Sequence, residues 1–183
     1  MTEPLFFDTD CISAFLWVDG ESIVARLYPG RIIIPEQVYK ELSHPGLNHI
    51  KGLKSQIDVL VMDKQAQVRS IIVGAAAYEI YYKLTTIPDA GHKIIGAGEA
   101  AAIAMAKEQD GILASNNLRD ILAYVKAYGL VHVTTADILK QAMDAGLIDE
   151  NQGNAIWQKM LARRRRLGYD SFSDFLAASC GRS

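Results

Sequence analysis

Cysteine is nearly absent from this chain of 183 residues. Cys11 and Cys180 are too few for a disulfide framework and have no metal-ligand spacing. They read as reduced thiols of a cytoplasmic protein. The histidines, His44, His49, His92 and His132, also lack metal-ligand spacing, which argues against a zinc site. No uninterrupted apolar run reaches the ~20 residues of a membrane span. The longest candidate, Ile71 to Tyr82, contains Glu79 and reads as a buried helix. The start, Met1-Thr2-Glu3-Pro4, lacks the basic segment of a signal peptide. Charge of one sign is missing too: Lys and Arg number 19 against 21 Asp and Glu, for a net charge of −2. No global positive field points to nucleic acid, although a local patch can suffice. No internal repeat or low-complexity tract is visible.

What is present is an ordinary apolar half, enough for one sizeable core. Strand-like and helix-like segments alternate, which predicts an α/β fold with a parallel sheet. Strands are expected at residues 4–8, 31–34, 58–62, 111–114 and 130–133. Helices are expected at 9–18, 21–28, 36–43, 46–56, 64–84 (breaking near Gly74), 99–109, 117–128 and 135–145. After Gly146 no strand follows. Residues 150–166 read as one helix ending in Arg163-Arg164-Arg165-Arg166, and 171–178 as another. The chain thus divides into an α/β domain over 1–146 and a helical extension over 147–183. In the extension Ile156, Met160 and Leu161, with Trp157 beside them, form a stripe that should pack on the body or on a partner.

Four carboxylates stand out: Asp8, Glu41, Glu99 and Asp120. Asp8 closes the apolar run Leu5-Phe6-Phe7, with Asp10 as a nearby competitor. Glu41 shares a helix face with Val38 and lies near the interior. Glu99 heads a face carrying Ala102, Ile103 and Ala106. Asp120 follows Asn117 at the spacing of a helix cap and its N3 acid. Three of the acids have a ready structural explanation, caps and turns for the aspartates and the helix dipole for Glu99, whereas a surface glutamate would more naturally sit on the face opposite Glu41. Burying an unpaired carboxylate costs roughly several kcal/mol. Each acid must therefore find its own cation, or several must share a hard divalent one such as Mg²⁺ or Mn²⁺. The residues alone leave both readings open.

The chain resembles the PIN-domain ribonucleases over residues 4 to about 140. The marks are the strand ending in Asp8-Thr9, Ile34-Pro35-Glu36-Gln37-Val38-Tyr39-Lys40-Glu41-Leu42, Gly98-Glu99-Ala100-Ala101-Ala102-Ile103-Ala104-Met105-Ala106, and Ile112-Leu113-Ala114-Ser115-Asn116-Asn117. The resemblance implies a three-layer α/β/α sandwich and a metal site on Asp8, Glu41, Glu99 and Asp120. Many members have Asp where Asn116 stands, so Asn116 competes with Asp120 as the fourth ligand. Ser115 either orients a metal-bound water or caps the helix.

The implied activity is Mg²⁺- or Mn²⁺-dependent hydrolysis of RNA phosphodiesters, in one branch by a VapC-like toxin neutralised by an antitoxin protein. The expected partners are RNA, an antitoxin and a second copy of the chain, with no membrane. Arg31 and Arg119 are expected to meet phosphate near the site. Arg163 and Arg164, with Arg165 and Arg166, are expected to form a basic rim outside the chemistry. The alternatives are a non-catalytic PIN module that binds RNA or protein, and a haloacid-dehalogenase-like phosphatase using Asp8-Thr9-Asp10, with Asp8 as nucleophile.

Overall fold

The computed structural model describes residues 3–44, 52–90 and 92–180. The first part of the helix expected from residue 46, together with His49, lies outside the described residues.

Three short apolar strands form the centre of a parallel sheet: β1 (Leu5–Phe7), β2 (Ile32–Pro35) and β4 (Ile112–Ala114), with β3 (Ala66–Arg69) and β5 (Val131–Val133) at the edges. The order is β3-β2-β1-β4-β5. Leu5 pairs with Ile32 on one side and Ile112 on the other. Every residue of β1, β2 and β4 is buried, as expected when helices cover both faces. Alternate side chains then serve two cores. Leu5, Phe7, Ile32 and Ile34 enter one; Phe6, Ile33 and Leu113 enter the other.

The first core is closed by α1 (Thr9–Leu16), α2 (Glu21–Leu27), α3 (Glu36–Ser43), α4 (Leu53–Met62) and α8 (Thr135–Asp144). The second is closed by α5 (Ala76–Thr86), α6 (Ala97–Glu108) and α7 (Leu118–Tyr128). Both faces are covered, so the three-layer α/β/α arrangement is present. The alanine-rich α6 packs against β1, β2 and β4 at the sheet's centre. Its small side chains allow the close approach that brings its first turn to the strand ends.

The chain runs outward from β1 through β2 to β3, then returns to β4 on β1's other side. The carboxyl ends of β1 and β4 are therefore the topological switch point, where such sheets bind ligands. A hydrogen bond from the Asp8 N–H to the Ala114 carbonyl, 2.9 Å, ties the two ends together.

Two expectations fail. Residues 58–62 are not a strand but the end of α4: Leu53, Ile57 and Leu60 are buried at helical spacing, while Val59 and Met62 are exposed. The third strand lies at Ala66–Arg69, inside the segment read as one helix over 64–84. Four residues on a sheet edge give too short a period-2 signal to outweigh the helical pattern after them.

The C-terminal helices α9 (Glu150–Ala162) and α10 (Phe172–Cys180) join the first core. Trp157 and Met160 are completely buried, and Ile156 and Leu161 are partly so. Trp157 stacks with Phe175 at 6.0 Å between ring centroids. A Cβ on Gly153 would stand 2.3 Å from the Phe172 ring, so only glycine lets these helices close. The boundary at 146/147 thus does not separate two cores.

The arginine run is not helical. α9 ends at Ala162 in a Schellman turn: Arg164 N–H donates to the Leu161 carbonyl at 2.8 Å, and Arg165 N–H to the Met160 carbonyl at 3.0 Å. Arg164 takes the left-handed conformation, at φ +58°.

Candidate active site

Asp8 leaves β1 and caps α1: its Oδ1 accepts from the Cys11 N–H at 2.7 Å. Capping explains one oxygen only. Oδ2 is buried without a hydrogen bond, although the Ser115 hydroxyl lies near enough to favour the charged form. Burial dominates and pushes the carboxyl up to about 7, with added repulsion from Asp10 and Glu99.

Glu41 sits on α3 beside the buried Leu42 and reaches the first turn of α6. Its Oε1 accepts from the Gly98 N–H at 2.9 Å, and its Oε2 accepts from the Thr9 hydroxyl. Gly98 is required here. A Cβ would stand 2.6 Å from Thr9 Oγ1 and 2.8 Å from Glu41 Oε2.

Glu99 follows, half-buried in the same turn. Burial raises its carboxyl above the ordinary range. Asn117 and the Gly96 N–H pull it down, and Asp120 and Glu41 push it up. Asn117 Nδ2 bridges two acids, Glu99 Oε1 at 2.6 Å and Asp120 Oδ2 at 2.9 Å. The side chain of Asn117 does not cap α7, despite its position. Asp120 also faces Lys93 at 3.7 Å.

Asn116 is committed elsewhere. Its amide donates to Thr135 Oγ1, and its carbonyl accepts from the Thr135 N–H, both at 2.8 Å. It fastens the start of α8 to the end of β4, and the neighbouring asparagine, Asn117, contacts the acids. Ser115 is buried and its hydroxyl accepts from the Asn117 N–H at 3.3 Å, a structural duty beside Asp8.

A cleft of about 250 Å³ opens here, with Thr9, Asp10, Glu41, Glu99 and Arg165 among its lining residues. Asp8 lies outside its lining. A second cleft of about 600 Å³ is lined in part by Asn116, Asp137, Arg166 and Tyr169.

The expected basic residues disperse. Arg31 precedes β2, at the end of the sheet opposite the acids, where its Nε donates to the Glu3 carbonyl and its guanidinium lies over Tyr28. Arg119 is exposed in the first turn of α7, next to Asp120. Arg163 lies over the Trp17 ring at 5.4 Å and Arg164 is exposed in its turn. Arg165 instead enters the cleft and pairs with Asp10 at 2.9 Å. With Asp8 fully buried and Asp10 held by Arg165, Asp8-Thr9-Asp10 presents no nucleophile of the dehalogenase kind. His132 donates from Nε2 to the Ser115 carbonyl at 2.8 Å, and His92 stacks on Tyr124.

Sequence reasoning missed Thr9, Asn117 and Arg165. Thr9 and Asn117 stood inside the recognised motifs, but their partners lie 32 and 18 residues away. Arg165 was hidden by its three identical neighbours.

The donor set suits a hard divalent cation in kind. Asp8, Glu41 and Glu99 are held by N–H and hydroxyl donors, and among the described residues none has an ion-pair partner. Among those residues, no three His, Cys, Asp or Glu side chains stand close enough to hold one ion as placed. No helix is long and apolar enough to cross a membrane among them either.

A PIN-domain family model matches residues 5–179, including both C-terminal helices. Among curated proteins and among solved structures, none matches. With the match spanning nearly the whole chain and the sheet order and strand-end acids in place, the chain belongs to the PIN-domain family, whose members are generally nucleases.

Proposed function

We propose that the protein is a metal-dependent endoribonuclease. The observation that carries this reading is the group Asp8, Glu41 and Glu99 at the switch point, none of them in an ion pair among the described residues. Of the three, Asp8 is fully buried with one oxygen lacking a hydrogen bond, a placement that costs roughly several kcal/mol when charged and that a bound cation would offset.

Asp8, Glu41 and Glu99, with Asp120 as fourth acid, would hold Mg²⁺ or Mn²⁺. When bound, such an ion supplies Lewis-acid charge and lowers the pKa of water. The chain's own residues do the rest. Thr9 and Gly98 fix Glu41. Asn117 sets Glu99 and Asp120 on a common donor. Glu99, whose carboxyl burial holds above the ordinary range, would be the carboxylate that takes a proton from an attacking water. The carboxylates would draw together on binding, since as placed they form no cage.

The test has two readouts. Single-stranded RNA should be cut with Mg²⁺ or Mn²⁺ and survive with EDTA; Mg²⁺ alone should raise the melting temperature of the wild type, and not of Asp8→Asn. Cleavage that persists after exhaustive chelation refutes the proposal. The absence of a formed cage favours a second reading, a PIN module that binds RNA without cutting it. RNA binding with neither cleavage nor a metal-dependent melting shift would establish that one. A toxin role, an antitoxin partner and a homodimer belong to the first proposal. Growth arrest on expression, relieved by Asp8→Asn, tests the toxin role, and sedimentation tests the dimer.

A further inference from the structure

The four arginines look alike in sequence and do four different things in the fold. Arg163 lies over Trp17. Arg164 makes the turn. Arg166 lines the second cleft. Arg165 reaches the acidic cleft, and among the described residues it is the only cation that lines it.

We propose that Arg165 is the residue that grips a substrate phosphodiester in this cleft, on the strength of the nuclease reading above. An RNA strand entering past Asp10, Glu41 and Glu99 meets like charge, and a fixed positive group is needed to seat it. A guanidinium suits the task, because its planar fork matches phosphate oxygens. Only part of that fork is used. Nη1 donates to Asp10 Oδ1 at 2.9 Å and Nε to the Arg163 carbonyl at 3.2 Å. Among the described residues Nη2 makes no hydrogen bond.

The mounting is rigid. Trp157 and Met160 anchor α9 in the core, and the Schellman turn fixes the backbone N–H of Arg165 on Met160. Asp10 then sets the direction of the side chain. A purely structural tether explains less: a partly exposed ion pair contributes little stability, and the core already holds the segment.

The test uses the full chain as wild type, Arg165→Gln, Arg165→Lys and Arg166→Gln. Cleavage of a labelled single-stranded RNA is followed with Mn²⁺, and binding is followed over a salt series in EDTA. Arg165→Gln should raise KM about tenfold or more, with kcat within about threefold. It should also lower the log–log salt slope of binding by about 0.7. Arg165→Lys, which keeps the charge and loses the fork, should fall between. Arg166→Gln should match the wild type. An Arg165→Gln protein that matches Arg166→Gln in KM and slope, while the wild type cleaves, overturns the assignment and leaves the nuclease reading standing. A loss confined to kcat overturns it as well. A wild type that does not cleave refutes the nuclease reading, and this proposal with it, before any variant is read. If Arg165→Gln melts early, the comparison rests on Arg165→Lys.

Discussion

Replacing Asp8 by Asn should make the metal-free protein more stable above neutral pH, although the proposed function gives Asp8 a metal-holding role. The capping role survives, since Asn and Asp are equally good N-caps and the amide oxygen can still accept from Cys11 N–H. What disappears is the buried charge. The carboxyl titrates at about 7 in the fold against an ordinary 3.8. At about 1.4 kcal/mol per pH unit, that difference is worth roughly 4 kcal/mol.

The sign follows from proton binding. Between about pH 4 and pH 7 the folded chain holds a proton on Asp8 that the unfolded chain has lost, so wild-type stability falls as pH rises. Below this window the charge costs nothing; above it the full cost applies. Asn carries one cost of its own: an amide N–H without an acceptor costs about 1–3 kcal/mol. The net gain at about pH 8 should therefore lie between about 1 and 4 kcal/mol, vanishing or reversing by about pH 4. Urea unfolding of both proteins in EDTA across this range measures it. An Asn variant that is no more stable than the wild type at about pH 8, or a difference that does not change with pH, would refute the reasoning. Added Mg²⁺ should stabilise the wild type alone and narrow the gap.

Gly98→Ala should push Glu41 off its perch, destabilising by about 1–3 kcal/mol and reducing RNA cleavage by more than about tenfold; wild-type kinetics would show that the contact yields freely. Asn116→Ala should cost about 1–3 kcal/mol in urea unfolding through its lost bonds to Thr135, with Mg²⁺ response retained. Asn117→Ala should do the opposite, weakening Mg²⁺ response and cleavage more than stability, and a reversed order would restore Asn116 as the metal-side residue. Arg164→Gly should stabilise by up to about 1 kcal/mol, because glycine takes φ +58° without steric cost; an unchanged urea midpoint would count against strain at that turn.

The placing of two acids was legible because apolar periodicity names a helix's inner face: Glu41 shares one with Val38, and Glu99 heads one with Ala102 and Ile103. The central strands were legible for the same reason, as short runs with no polar residue. The edge was not. Ala66–Arg69 is half-exposed and borders strongly helical sequence, so its strand depends on pairing with β2, a contact no local window contains. The helical extension was legible in part, through the stripe of Ile156, Met160 and Leu161 expected to pack on the body or a partner. Its stripe left body and partner open as the packing surface, and Trp157 and Phe172 pack into the same core as Phe7.

The asparagine pair shows how a one-residue ambiguity is resolved by geometry. Asn116 and Asn117 follow β4 in succession, and neighbours leaving a strand point to different sides. One must face β5 and the start of α8, the other the first turn of α6. Thr135 offers its N–H as donor and its Oγ1 as acceptor, which an amide satisfies in full and a carboxylate only if the hydroxyl turns to donate. Glu99 and Asp120 offer only acceptors, which call for a donor between them. An Asp at position 116 would lose the bond to Thr135 Oγ1 unless the hydroxyl turned to donate. An Asp at 117 would place a third negative charge between Glu99 and Asp120. The asparagines at both positions are therefore fixed by the groups around them, and Asn117 holds Asp120 beside Glu99.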